Sequence, residues 1–83
     1  MYTEDNLIMD YKDYIESKAD VMLGKPVVKG TRITVALILK KLSEGATTEE
    51  LVEAYPNLSH ASISAVLAYA SDIVSKETII PAA

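Results

Sequence analysis

The sequence predicts a mainly α domain of three helices, led in by a short β-prone segment and a tight turn. Three observations carry that expectation. Apolar residues recur at helical spacing in two runs, Val35-Ile38-Leu39-Leu42 and Ile63-Val66-Leu67-Ala70-Ile73-Val74. Capping and stop residues bracket these runs: Thr34, Thr47 with Glu50, and Ser59 open helices, while Gly45 and Pro56 close them. Between Gly24 and Val35 the chain reads Gly-Lys-Pro-Val-Val-Lys-Gly-Thr-Arg-Ile-Thr-Val, a β-prone run punctuated by two glycines and a proline.

Residues 1–13 form an arm with two open readings. Leu7, Ile8, Tyr11, Tyr14 and Ile15 repeat at spacings that suit a short helix, whereas Tyr2, Tyr11 and Tyr14 suit a strand or an arm lying on a neighbour. Tyr11 and Tyr14 read as packing residues rather than a ligand-stacking pair. Tyr14-Ile15-Glu16 is a β-prone edge, followed by a polar loop from Ser17 to Asp20. Pro26-Val27-Val28 is a second short β-prone run, followed by a tight turn at Lys29-Gly30, and the fold is expected to carry a short N-terminal β-hairpin or strand pair. A helix starts near Thr34, and its stripe of Val35, Ile38, Leu39 and Leu42 leaves Lys40 and Lys41 on the other side, where positive charge suits a helix C-terminus. Gly45 stands where a helix stops in a left-handed residue. Thr47-Thr48-Glu49-Glu50 is a capping box opening a short helix through Leu51, Val52 and Ala54, ended by Pro56, which pushes Tyr55 out of the α region. Ser59 caps a longer helix that ends near residues 75–77, and Thr78-Ile79-Ile80-Pro81 is a β-prone tail whose apolar pair covers another surface. The domain proper spans residues 14–77, with the tail at 78–83.

At 83 residues the chain makes one domain with a small core, burying about 60–65% of its unfolded surface. There is no Phe, Trp or Cys, and the aromatics are five tyrosines. A core of this kind gains from a partner subunit. Without Cys, and with one His, neither a disulfide nor a thiolate or imidazole metal site is expected, and no cofactor is implied. The N-terminus is acidic rather than basic and apolar, and no apolar run approaches the roughly 20 residues that cross a bilayer. A cytoplasmic, non-membrane protein is the expectation.

The net charge of −4 argues against indiscriminate nucleic-acid binding, but the charge is banded. Residues 1–20 hold six acids against two lysines; residues 21–43 hold Lys25, Lys29, Arg32, Lys40 and Lys41 and no acid; residues 44–83 hold six acids against Lys76. One cationic band lies between two acidic segments. It reads either as a solvated turn and helix face or as a footprint for phosphates or an acidic partner.

Enzymatic chemistry is not expected. Gly24 and Gly30 lack phosphate-loop spacing, no nucleophile elbow or dinucleotide fingerprint occurs, and Glu49-Glu50 is explained by capping. His60, beside an N-cap, reads as a surface residue. Arg32 has two open roles: a bidentate phosphate contact, or an ion pair with an acid of a neighbouring segment. The helix pair Glu49–Tyr55 and His60–Val74, with its short connection, has the form of a helix-turn-helix.

The run Gly24-Lys25-Pro26-Val27-Val28-Lys29-Gly30-Thr31-Arg32-Ile33, then Val35, Leu37-Ile38, Leu42, Gly45, Glu49-Glu50-Leu51, Tyr55-Pro56-Asn57-Leu58, Ile63 and Ala65 to Ala70, resembles the domain-of-unknown-function 433 family, small antitoxin-like bacterial and archaeal proteins. The resemblance covers about residues 14–74. It implies a three-helix winged or homeodomain-like helix-turn-helix fold, a dimer, and pairing with a PIN-like ribonuclease toxin. Two departures from the family pattern matter. Thr34 stands where Pro is frequent, keeping helix-start chemistry by capping. His60-Ala61-Ser62-Ile63-Ser64 stands where Pro-Glu-Asp-Ile-Arg is frequent, so the third helix begins without a charged base-reading side chain.

Two functional expectations follow. In the first, the chain is an antitoxin-like homodimer that represses its own operon and binds a PIN-like ribonuclease toxin. Lys25, Lys29, Thr31 and Arg32 then contact operator DNA, with weaker or water-mediated contacts from Ser59, His60, Ser62 and Ser64. In the second it is a protein-interaction module with no nucleic-acid role, favoured by the net acidity and by a third helix, read as His60–Val74, devoid of Lys and Arg.

Overall fold

A computed structural model describes residues 10–76. Three helices pack beneath a strand pair at the N-terminal side. After a 3-10 turn at Tyr11–Asp13, β1 (Ile15–Glu16) pairs antiparallel with β2 (Val27–Val28), Ile15 opposite Val28 and Glu16 opposite Val27. The helices are α1 (Val35–Ser43), α2 (Thr48–Ala54) and α3 (His60–Lys76). Helix α3 is the central element, packing against α1, α2, β1 and the opening 3-10 turn.

Local chemistry sets each helix end. Thr34 accepts from the Leu37 N–H at 3.0 Å and starts α1. At its other end Gly45 adopts φ +102°, Gly45 N–H donates to Leu42 C=O and Ala46 N–H to Lys41 C=O, both at 3.0 Å. That pair is the Schellman stop. The capping box of α2 is complete: Glu50 N–H donates to Thr47 Oγ1 at 3.1 Å, and Thr47 N–H to Glu50 Oε1 at 2.8 Å. Pro56 follows Tyr55, which is extended at φ −125° and ψ 90°.

The core joins Val28, Val35, Ile38, Leu51, Leu58, Ile63 and Val66, with Leu39, Leu42 and Tyr69 half-buried against it. The stripe read along α3 is only half used. Ile63 and Val66 are at most 1% exposed, whereas Leu67, Ile73 and Val74 are 49, 45 and 57% exposed. Periodicity reports which residues share a face, but burial needs an opposing element, and toward the end of α3 Tyr11 packs edge-on against Tyr69, ring centres 5.3 Å apart.

The arm's described part is one 3-10 turn capped by Asp10, neither a longer helix nor a strand; Tyr2, Leu7 and Ile8 lie outside the described residues, as does the 78–83 tail. Tyr11 pairs with Tyr69 and not with Tyr14. Past the polar loop, Met22, Leu23 and Gly24 take φ of 49, 57 and 82°, a short left-handed turn that Gly24 alone did not announce.

Candidate nucleic-acid interface

The cationic stretch is a folded ribbon edge. Strand β2 is hydrogen-bonded to β1 on one side, and on the other it meets the returning chain, where Val28 N–H donates to Ile33 C=O and Val27 bridges to Thr34. Between them Val28 to Thr31 turn back, closed by Thr31 N–H to Val28 C=O at 3.0 Å. Gly30, third in the turn, has φ +80°, the sign a type II turn requires there. The β-branched valines hold the ribbon in the core, so the turn and its charges face solvent: Val27 and Val28 are buried, while Lys25, Lys29 and Arg32 are exposed.

Among the described residues, the ion pairs are Lys18 with Glu16, Lys40 with Glu44 and Lys76 with Asp72. Lys25, Lys29 and Arg32 are in none of them. The ion-pair role for Arg32 therefore finds no carboxylate within the described residues.

The hydroxyls behave differently. Thr31 Oγ1 donates to Val28 C=O at 2.8 Å and accepts from Ile33 N–H at 2.9 Å, so it fastens the turn instead of facing a ligand. Ser62 is 4% exposed. Its hydroxyl accepts from Ser59 N–H and donates to Ser59 C=O, both at 2.8 Å, while Ser59 Oγ accepts from Ser62 N–H at 3.1 Å. This is a reciprocal serine cap on α3, and it turns Ser62 inward, away from any DNA contact. Ser59, His60 and Ser64 are exposed. The turn and the opening of α3 thus form two separate groups, with no hydrogen bond or ion pair between them among the described residues.

Two features escaped the sequence reading. Glu16 of β1 reaches the cationic turn, where its Oε2 accepts from Gly30 N–H at 3.1 Å. The residues are 14 apart and only the strand register brings them together. The second is an open apolar groove of ≈ 250 Å³ between α1 and α3, lined by Val35, Leu39, Tyr69, Ala70, Ile73 and Val74. Beside it Tyr11 Oη donates to Asp72 at 2.5 Å, and Lys76 Nζ stands 3.1 Å from the same carboxylate oxygen. The Tyr11 hydrogen bond, with Lys76 adding to it, holds the Asp72 carboxyl below its ordinary value, and the same bond raises the Tyr11 phenol.

Residues 15–70, from β1 to the middle of α3, match the family model described as "Protein of unknown function (DUF433)". The chain belongs to the DUF433 family. A DUF433 member from Anabaena variabilis ATCC 29413, solved by crystallography, superposes with a TM-score of 0.72 at 25% identity, covering 88% of this chain and 72% of that one. The uncharacterized protein y4eO of Sinorhizobium fredii (strain NBRC 101917 / NGR234) is 32% identical over 59 residues, which is 71% of this chain. The matched part spans 27% of that relative's length. The DUF433 window therefore holds the strand pair, the cationic turn and most of the three-helix body. Among the described residues no helix is long and apolar enough to cross a membrane.

Proposed function

We propose that this DUF433 protein is an antitoxin-like homodimer that binds its own operator through phosphates and also binds a PIN-like ribonuclease. The observation that carries the reading is the cationic turn: Lys25, Lys29 and Arg32 are exposed and outside every ion pair among the described residues, in a chain whose net charge is −4. Isolated cations held by a buried ribbon suit a polyanion. With Ser62 in the cap and Ser64 short, recognition at the start of α3 is confined to Ser59, His60 and Ser64. Contacts of this kind position a protein on the backbone more than they read bases.

The test is a gel shift on the chain's own promoter at low salt, with and without a co-expressed ribonuclease-like partner. A shift that disappears on replacing Lys25, Lys29 and Arg32 by Ala supports the reading. No shift in either case removes the DNA half.

One observation favours the second reading, an interaction module without nucleic acid: the apolar groove between α1 and α3, rimmed by exposed Ile73 and Val74. In that case a ribonuclease-like partner co-purifies without DNA, and the triple alanine variant leaves the complex intact.

A further inference from the structure

An acid from a neighbouring strand closes the cationic turn. Of the three successive amides at its tip, Lys29 N–H donates to Tyr14 C=O at 2.7 Å and Thr31 N–H to Val28 C=O at 3.0 Å. Gly30 N–H is left to a side chain, and the carboxylate of Glu16 accepts it at 3.1 Å in an exposed bond. The other Glu16 oxygen lies 3.8 Å from Lys18 Nζ. The Glu16 side chain is itself largely covered, 21% exposed against 61% for Lys18. Lys25, Lys29 and Arg32 surround this turn in the chain, yet none comes within ion-pair distance of Glu16. Space above the turn is open, since a Cβ on Gly30 would meet nothing within 4 Å. A backbone N–H holding a carboxylate oxygen beside exposed cations has the chemistry of an anion seat. Here a tethered anion of the protein itself sits in it, without neutralising the cations around it.

We propose that the Gly30 amide with Lys29 and Arg32 forms a seat for one phosphodiester of duplex DNA, that Glu16 fills this seat in the unbound protein, and that the phosphate displaces it on binding. This rests on the DNA-binding reading above. The exchange trades one carboxylate–amide hydrogen bond for a phosphate–amide one, while Lys29 and Arg32 gain a partner and Glu16 keeps Lys18. The displaced carboxylate stays close to the phosphate, and its like charge holds affinity down.

The full-length chain tests this in four forms: unaltered, Glu16→Gln, Glu16→Ala, and Lys25→Ala/Lys29→Ala/Arg32→Ala. Duplex DNA affinity is read by fluorescence anisotropy at low and high salt, and the Gly30 amide resonance is followed by NMR as inorganic phosphate is added. Thermal melts check that each form is folded, and Glu16→Gln keeps the size of the side chain and an acceptor for Gly30. Removing the Glu16 charge is expected to tighten DNA binding about tenfold at low salt, a change of about 1.4 kcal/mol. The gain shrinks at high salt. The Gly30 resonance moves with phosphate, and saturably so in Glu16→Ala.

If the unaltered chain binds DNA and the triple variant does not, but both Glu16 variants bind with unchanged or lower affinity and Gly30 stays unmoved, the seat is overturned and the DNA-binding reading survives. If no form binds DNA while Gly30 moves with phosphate, the duplex is overturned as occupant together with the DNA-binding reading. If nothing binds and nothing moves, both fall.

Discussion

Ile38 and Gly30 constrain this domain in opposite ways. Ile38 is 1% exposed at the centre of the core, so Ile38→Ala removes apolar contacts and leaves a cavity. A loss of about 2–5 kcal/mol is expected in urea unfolding, with the midpoint lowered. Gly30 touches nothing that a methyl group would meet, and its cost is conformational: at φ +80° an L-residue is disfavoured by about 1–2 kcal/mol. Gly30→Ala should lower the unfolding midpoint by that smaller amount, without a cavity. The glycine and its turn were legible in the sequence because the constraint is local. The roles of Thr31 and Ser62 were not: a hydroxyl in a basic or helix-opening stretch looks available until the structure shows the carbonyls and amides it already holds.

At the scale of elements, the helix ends follow from residues three to five apart, which is why they could be read directly. The box of Thr47 and Glu50 and the Gly45 stop stand where the sequence put them. Thr47→Ala strips α2 of its N-terminal acceptor and is expected to cost about 1 kcal/mol in thermal or urea melts. Because α2 spans only Thr48–Ala54, too short to persist alone, that loss should appear as lower stability of the whole domain and not as local fraying. Strands of two residues each have no independent stability either; β1 and β2 persist because the Val28 face is buried against the helices. The apolar pattern of α3 was legible as one stripe, but its burial was not, since Ile63 meets the core and Val74 does not.

For the molecule as a whole, charge couples the 3-10 turn at Tyr11–Asp13 to α3 and sets its response to pH and salt. The Tyr11–Asp72 bond joins the opening turn to the late part of α3 across 61 residues. Asp72 titrates below its usual 3.8, so its stabilisation is complete above that value and lost as pH falls through the folded one; Tyr11 titrates above 10.0, so its share is complete below that and lost as pH rises through the raised value. Melting temperatures across pH should separate the unaltered chain from Tyr11→Phe between those limits and bring them together in acid. Duplex affinity, if phosphates are the target, should fall with salt at a log–log slope of about −0.9 per phosphate contacted, and the triple alanine variant should flatten it.

The sequence by itself determined where the three α-helices begin and end, that the chain turns back at Lys29-Gly30, and that its positive charge is gathered in one band, because caps, glycine conformations and periodic stripes act over a few neighbouring residues. Only the tertiary structure decided that Glu16 closes the Gly30 amide, that Ser62 faces inward, that Arg32 is outside the described ion pairs, and that the far half of α3 leaves a groove. Those outcomes depend on strand register and on which element lies opposite, contacts between residues far apart in the chain that no local pattern encodes.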